Sequence, residues 1–266
     1  LITAFVVLMY GTVILGGFIK SLGIDNTFTF DNYRFILQGI GSKAMITTTL
    51  LALIATPAAG VLGMLIAWLV VRKLRAGKGV MDFIGMLGLA VPGAVVGIGY
   101  MLVFSRAWIS DGRMWFPALS GGRALLGGAI AIVMVYIIRS MPSGQRSGVA
   151  ALQQIDPAID EASTSLGASG LTTFRKITLP LIRPAFLSGL TYSFARSMTT
   201  LSPIIFIMSP KTPIMTSQIF GEVAAGRYGN AFAYCTILIL IVMAVIGLLN
   251  LIVRDRSPLA AAGLSS

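Results

Sequence analysis

The sequence predicts an all-α, polytopic membrane protein of about six transmembrane helices with a cytoplasmic helical loop between the fourth and fifth. Three observations predict it. Of the 266 residues, 56% are hydrophobic and only 11% charged, far from the balance of a soluble domain. Six apolar segments approach or exceed the ~20 residues that cross a hydrocarbon core as a helix. Finally, one polar stretch, QQIDPAIDEASTSLGASGLTTFRKITLPLIRP at 153–184, interrupts two strongly apolar halves.

The spans are expected near 2–19, 45–71, 83–104, 124–141, 185–208 and 231–253, with the polar loop at 142–184 and all of 1–266 forming one transmembrane domain. After the first span, DNTFTFDNYRFIL at 25–37 alternates too briefly for a firm strand, and Asp31 is placed to cap a short interfacial helix. In the third span Pro92 and Gly93 make either a hinge or a packing kink, while Gly85, Gly88, Gly97 and Gly99 allow close helix approach. Trp108, Trp115 and Phe116 read as an aromatic belt at the headgroup level, or as a surface for an external partner. Pro203 loosens the fifth span upstream of itself.

That fifth span carries Arg196 among hydroxyls. An arginine at the bilayer centre costs on the order of 3 kcal/mol, which favours a protein-facing or water-facing position. Ser193, Arg196 and Thr200 share a helical face and form a candidate translocation path. The alternative is that the hydroxyls satisfy backbone groups and Arg196 snorkels to an interface.

In the polar loop, Asp156-Pro157 is a helix start: the aspartate caps free N–H groups and proline suits the first helical position. Ile155, Ile159, Ala162 and Leu166 recur at helical spacing, and Gly167 stops the helix where a left-handed residue is favoured. A second short helix puts Leu171, Phe174 and Ile177 on one face, until Pro180 forbids uninterrupted continuation.

The net charge of +11 resides mostly in short loops beside apolar runs, a topology signal rather than a nucleic-acid footprint. Arg72, Lys73, Arg75 and Lys78, then Arg139, Arg146, Arg175, Lys176 and Arg183, then Arg254 and Arg256 fall on one side of a six-span arrangement, assigned to the cytoplasm. Lys20, Arg34, Lys43, Arg106, Arg113, Arg123, Lys211 and Arg227 spread over longer loops opposite. Cys235 is the single cysteine and there is no histidine, which removes the usual nitrogen and sulfur metal sites and the commonest general base. No metal site, cofactor or catalytic residue is therefore expected in this chain. With no paired acids in the spans, an intramembrane enzyme has no constellation to work with. An ion-gradient transporter would ordinarily carry carboxylate relays there, and the nearest candidate, Asp82, stands at the start of the third span.

The polar loop resembles the EAA motif of ATP-binding-cassette importer permeases. Glu161, Ala162, Gly167, Phe174, Ile177, Leu179 and Pro180 stand at the motif's positions, with Ser163 replacing the second alanine as the single departure and Leu166 preceding the glycine. The resemblance implies a coupling helix that docks on a cytoplasmic ATPase dimer. It also implies a second permease half, a periplasmic substrate-binding protein and a place in the bacterial inner membrane. No Walker-type phosphate loop occurs here, so ATP and Mg are expected on the partner subunit. TFDNYRF at 29–35, AVPGAVVGIG at 90–99, RSMTTLSPIIF at 196–206 and EVAAGRYGNA at 222–231 are similar to the ferric-iron branch, which implies iron as cargo. Related branches carry polyamine, sulfate, thiamine or phosphonate. The chain starts at Leu1, and permeases of this branch often fuse two halves, so a carboxyl-terminal half is the expectation.

Overall fold

A computed structural model of the chain describes residues 1–21, 23–110, 113–122 and 124–254, without the side chains of 110 and 252–254. The loop cations Arg123 and Arg256 lie outside the described residues, as does the side chain of Arg254.

Among the described residues three helices are long and apolar enough to cross a bilayer. The first, α3 (Gly39–Trp68), continues through a π turn at Leu69–Lys73, and α6 (Ala129–Gln153) follows a 3-10 turn at Leu125–Gly128. The third is α13 (Tyr228–Arg254). The segment expected as a third span with a hinge or kink at Pro92 and Gly93 is two helices, α4 (Lys78–Ala90) and α5 (Gly93–Phe104), bent by 96°. Pro92 explains the break, because it lacks an N–H and pushes Val91 to extended backbone at ψ 131°. The first helix, α1 (Ile2–Gly16), is 15 residues long.

The fifth segment is also shorter than expected. Helix α10 (Arg183–Thr199) ends before Pro203, and a single turn, α11 (Ile204–Ile207), follows. Ser202 precedes a proline and is biased away from helix. Conversely, the loop expected to begin at 142 starts later, because α6 runs through Pro142 to Gln153.

The chain forms two compact units. One comprises Leu1–Leu53, Pro92–Val135 and Met198–Ala244. Its hairpin, β1 (Ile19–Ser21) with β2 (Asp25–Phe28), precedes α2 (Asp31–Ile36), so the short alternating run does form a strand. Phe18 stacks on Phe28 and meets Phe30 edge-on, and Asn32 donates from Nδ2 to the carbonyls of Gly17 and Ile19. Ile36 packs with Met215, Ala233 and Tyr234, which brings in α12 (Met215–Ala224). A second hairpin, β3 (Trp108–Ser110) with β4 (Arg113–Phe116), exposes Trp108, Trp115 and Phe116.

The other unit comprises Ile54–Val91, Tyr136–Ser197 and the described residues from Val245 to Arg254. Its core is Met64, Ala67, Leu152 and Ile182, flanked by Trp68, Val149, Ile155, Phe174 and Phe186. Glycines let the helices close: a Cβ on Gly88 would run into the Ile138 carbonyl, and one on Gly60 into Leu190.

Candidate functional site

The polar loop folds as two short helices at an angle-making glycine. Asp156 Oδ1 accepts from the Ala158 N–H at 2.9 Å and opens α7 (Ala158–Ser165). Gly167 ends it with φ +80°, and its N–H reaches the Thr164 carbonyl at 2.9 Å. Ser169 then caps α8 (Gly170–Thr173), accepting from the Thr172 N–H.

Burial does not follow the apolar spacing along α7 and into α8. Ile159, Ala162, Leu166 and Leu171 are exposed, Leu166 to 88% and Leu171 to 69%, although they form the apolar stripes. The buried seam is polar: Ser163 and Thr173 join their hydroxyls at 2.8 Å. Thr173 commits its only proton to the Ser169 carbonyl at 3.2 Å, so the Ser163 hydroxyl is the donor. The serine that departs from the EAA pattern is thus bonded across the two helices. Glu161 and Gly167 are exposed beside Ala162, and Phe174 is half-buried against Trp68 with ring centroids 5.1 Å apart. Ile177 and Leu179 are half-buried and Pro180 is exposed.

Pro180 does not stop the chain's helical course. A π turn at Phe174–Thr178 precedes α9 (Leu179–Leu181), and Ile182 N–H bonds back to the Thr178 carbonyl before α10 begins. The wide turn takes up the mismatch where proline offers no N–H.

Arg72, expected only as a topology cation, ties this loop to the spans. Its Nη2 donates to the carbonyls of Leu152 at 3.1 Å and Ile155 at 2.7 Å, at the end of α6. Its Nε lies 3.2 Å from Asp160 Oδ2 on α7, an ion pair without hydrogen-bond alignment. The arginine side chain is 10% exposed and the aspartate 34%. Lys73 sits over the Trp68 ring at 5.4 Å. Nothing local in the sequence marks Arg72, since its partners are 80 or more residues away.

The three residues of the candidate path separate. Ser193 is buried and donates to the Ser140 carbonyl at 3.2 Å, a contact between α10 and α6. Arg196 is half-buried on α10. Thr200 lies past the end of that helix, in the other unit, where its carbonyl accepts from the Thr216 hydroxyl at 3.1 Å. The helical face that groups them does not extend to the third member.

In the unit that contains α12, a polar cluster joins that helix to the start of α13. Glu222 is buried and accepts from Arg227 Nε at 2.7 Å, Arg227 Nη2 at 2.9 Å and Asn230 Nδ2 at 2.9 Å. The guanidinium holds its carboxyl below the usual range against the opposing effect of burial. The turn needs Gly226 at φ +73°. In β2, Asp25 is held at about 2, chiefly by the Thr27 hydroxyl and then by Lys20. Among the described residues no group of three or more histidine, cysteine or acidic side chains is placed to hold a metal ion.

Comparison with known proteins places this geometry. The family described as binding-protein-dependent transport system inner membrane component matches residues 59–257. The chain is 39% identical, over 93% of its length, to the ferric transport system permease protein FbpB of Actinobacillus pleuropneumoniae, covering 34% of that protein. It is 38% identical, over 77%, to the putative ferric transport system permease protein FbpB 1 of Haemophilus influenzae, covering 31%. It is 30% identical, over 72%, to the sulfate transport system permease protein CysT of Salmonella typhimurium, covering 69%. The chain thus spans about a third of the length of the ferric permeases it matches. A crystal structure of a bacterial alginate ABC transporter, in complex with an alginate pentasaccharide-bound periplasmic protein, superposes with a TM-score of 0.75 over 96% of this chain and 91% of that one. At 17% identity that likeness is one of fold.

Proposed function

Because the chain belongs to the family of binding-protein-dependent transport system inner-membrane components, we propose that it is a permease half of an ATP-binding-cassette importer whose loop at 153–184 is the ATPase-docking element. The observation that carries this reading is the reversed burial of α7 and α8: Leu166 and Leu171 face outward while Ser163 and Thr173 face inward. An exposed apolar patch on a polar loop calls for a protein partner. Glu161, Ala162, Leu166 and Gly167 form the contact surface. Phe174, Ile177, Leu179 and Pro180 carry its movement into α10.

In this scheme a periplasmic binding protein delivers the solute, a second permease half completes the pathway, and ATP with Mg is bound and hydrolysed on separate cytoplasmic subunits. Ferric iron is the proposed cargo, supported by the names of the ferric permeases above.

Gly167→Pro tests the coupling assignment. Proline forces φ toward −65°, far from +80°, and removes the N–H that bonds to Thr164. The full-length permease is reconstituted with its ATPase and binding protein, with ATP inside proteoliposomes. The variant inserts and assembles, and its uptake no longer follows ATP hydrolysis. Normal ATP-driven uptake by an assembled Gly167→Pro permease refutes the docking role.

A further inference from the structure

Between α6 and α10 lies a cavity of about 280 Å3 in which Ser143, Arg146 and Ser147 face Ser188 and Tyr192. Both rows continue along their helices. Arg139 stands seven residues before Arg146, two turns away on the same side, and Arg196 stands four residues after Tyr192. Arg139 and Arg196 thus extend the two rows beyond the cavity. Arg139 gives one donor to the Val91 carbonyl at 3.0 Å, and its buried Nε has no hydrogen-bond partner among the described residues.

The acidic side of the ledger is nearly blank. Neither α6 nor α10 contains an aspartate or glutamate. On α4 the only acid is Asp82, and Gln145 Nε2 donates to its Oδ1 at 2.7 Å. Three arginines, the Ser143 and Ser188 hydroxyls and a tyrosine on facing helices are donor-rich and cationic, whereas Ser147 gives its proton to the carbonyls of its own helix; planar guanidinium forks match oxyanions. Pores that select anions are lined in this way, whereas those that select cations carry carboxylates. A bare trivalent cation would meet repulsion and find no hard anionic ligands here.

We propose that the α6–α10 groove is the translocation lining and that it takes its cargo as an oxyanion, held by Arg146 and then, further along the two rows, by Arg139 and Arg196. The inference rests on the permease reading above and names the charge class of the solute. A ferric ion enclosed in an anionic chelate and an organic phosphate ester both satisfy that chemistry. Ser193, buried against Ser140, supports the wall of the groove.

The test begins with the sign of the potential, independent of cargo and ATP. The detergent-solubilised full-length permease carries Ser188→Cys with Cys235→Ala. Negatively and positively charged methanethiosulfonates of similar size modify position 188, read by peptide mass. Relative to a free thiol, the anionic reagent reacts about tenfold faster than the cationic one, and adding Arg146→Gln cuts that preference several-fold. No preference, a cationic preference, or no reaction with either reagent overturns the proposal.

Proteoliposomes with ATP inside then receive labelled iron as an anionic citrate chelate or a labelled sugar phosphate, in separate arms that identify the source. Entry of either one, lowered at least about tenfold by Arg146→Gln and less by Arg146→Lys, which keeps the charge without the fork, supports the anionic path. Equal entry in wild type and Arg146→Gln overturns it. Reagent preference with ATP-independent entry would instead refute the coupling reading and leave the anionic groove standing.

Discussion

Arg72 and Asp160 should contribute very unequally to holding α7 against the spans, although they form one ion pair. Replacing Arg72 with Met removes two bonds from a charged donor to the carbonyls of Leu152 and Ile155, at 3.1 and 2.7 Å. Such bonds are worth about 1.5 kcal/mol or more each, so roughly 3 kcal/mol of local stability is at stake. Asp160→Asn removes only the 3.2 Å pair, which lacks hydrogen-bond alignment and whose aspartate is 34% exposed. Solvent screening limits that contribution to at most ~1 kcal/mol. At 1.36 kcal/mol per factor of ten, Arg72→Met should speed amide exchange over 156–166 by about a hundredfold, and Asp160→Asn by no more than about fivefold. Hydrogen–deuterium exchange of the purified permease, read by peptide mass, measures both. Equal effects of the two substitutions, or an unchanged 156–166 segment in Arg72→Met, would refute the view that the Arg72 bonds to the Leu152 and Ile155 carbonyls anchor the loop more than its pair with Asp160 does.

Three further outcomes follow from the geometry. Ser163→Ala restores the residue type of the EAA pattern yet deletes the bond donated to Thr173; it should loosen the α7–α8 seam by ~0.5–1.5 kcal/mol, seen as faster exchange at 168–174. Asp25 has a folded value of about 2 against an ordinary 3.8, so its stabilising contribution to the β1–β2 hairpin is present above pH 3.8 and is lost as pH falls through about 2. An infrared difference between wild type and Asp25→Asn should show carboxylate protonation with a midpoint of about 2, and a midpoint at 3.8 would contradict the bonds from Thr27 and Lys20. Glu222→Leu leaves Asn230 Nδ2 and the Arg227 fork without their acceptor, and should cost about 1–3 kcal/mol, measured as a lower thermal midpoint that Glu222→Gln partly restores.

What was legible in the sequence was the local chemistry. Asp156 and Gly167 act on backbone groups within a few residues, so their types alone forecast the cap and the left-handed stop that the structure contains. The length of the apolar runs likewise located α3, α6 and α13, because such runs leave few alternatives. The segments misjudged in length were those with prolines. At Pro92 and Pro203 the chain breaks, while Pro57 and Pro142 sit inside α3 and α6. Identical residues differ in outcome because neighbouring helices decide whether the freed carbonyl is satisfied. Arg72 was illegible for a related reason: its partners lie on other helices, and its side-chain direction depends on the π turn at Leu69–Lys73.

The loop shows most sharply why periodicity and burial must be kept apart. Ile159, Ala162 and Leu166 have the spacing of a core-facing stripe, and in an isolated soluble pair of helices they would turn inward. Here the inward positions are taken by Ser163 and Thr173, whose hydroxyls satisfy each other, with Asp160 held beside Arg72. Two polar seams thus do the holding, which leaves the apolar stripe facing out at a cost in exposed surface. Nothing within the loop recovers that cost, because Leu166 and Leu171 remain 88% and 69% exposed. The docking proposed above would cover that stripe with a complementary protein surface and so bury it, next to the Arg72 bonds that tie the loop to the end of α6. A loop built for its own stability would have placed leucine where Ser163 stands.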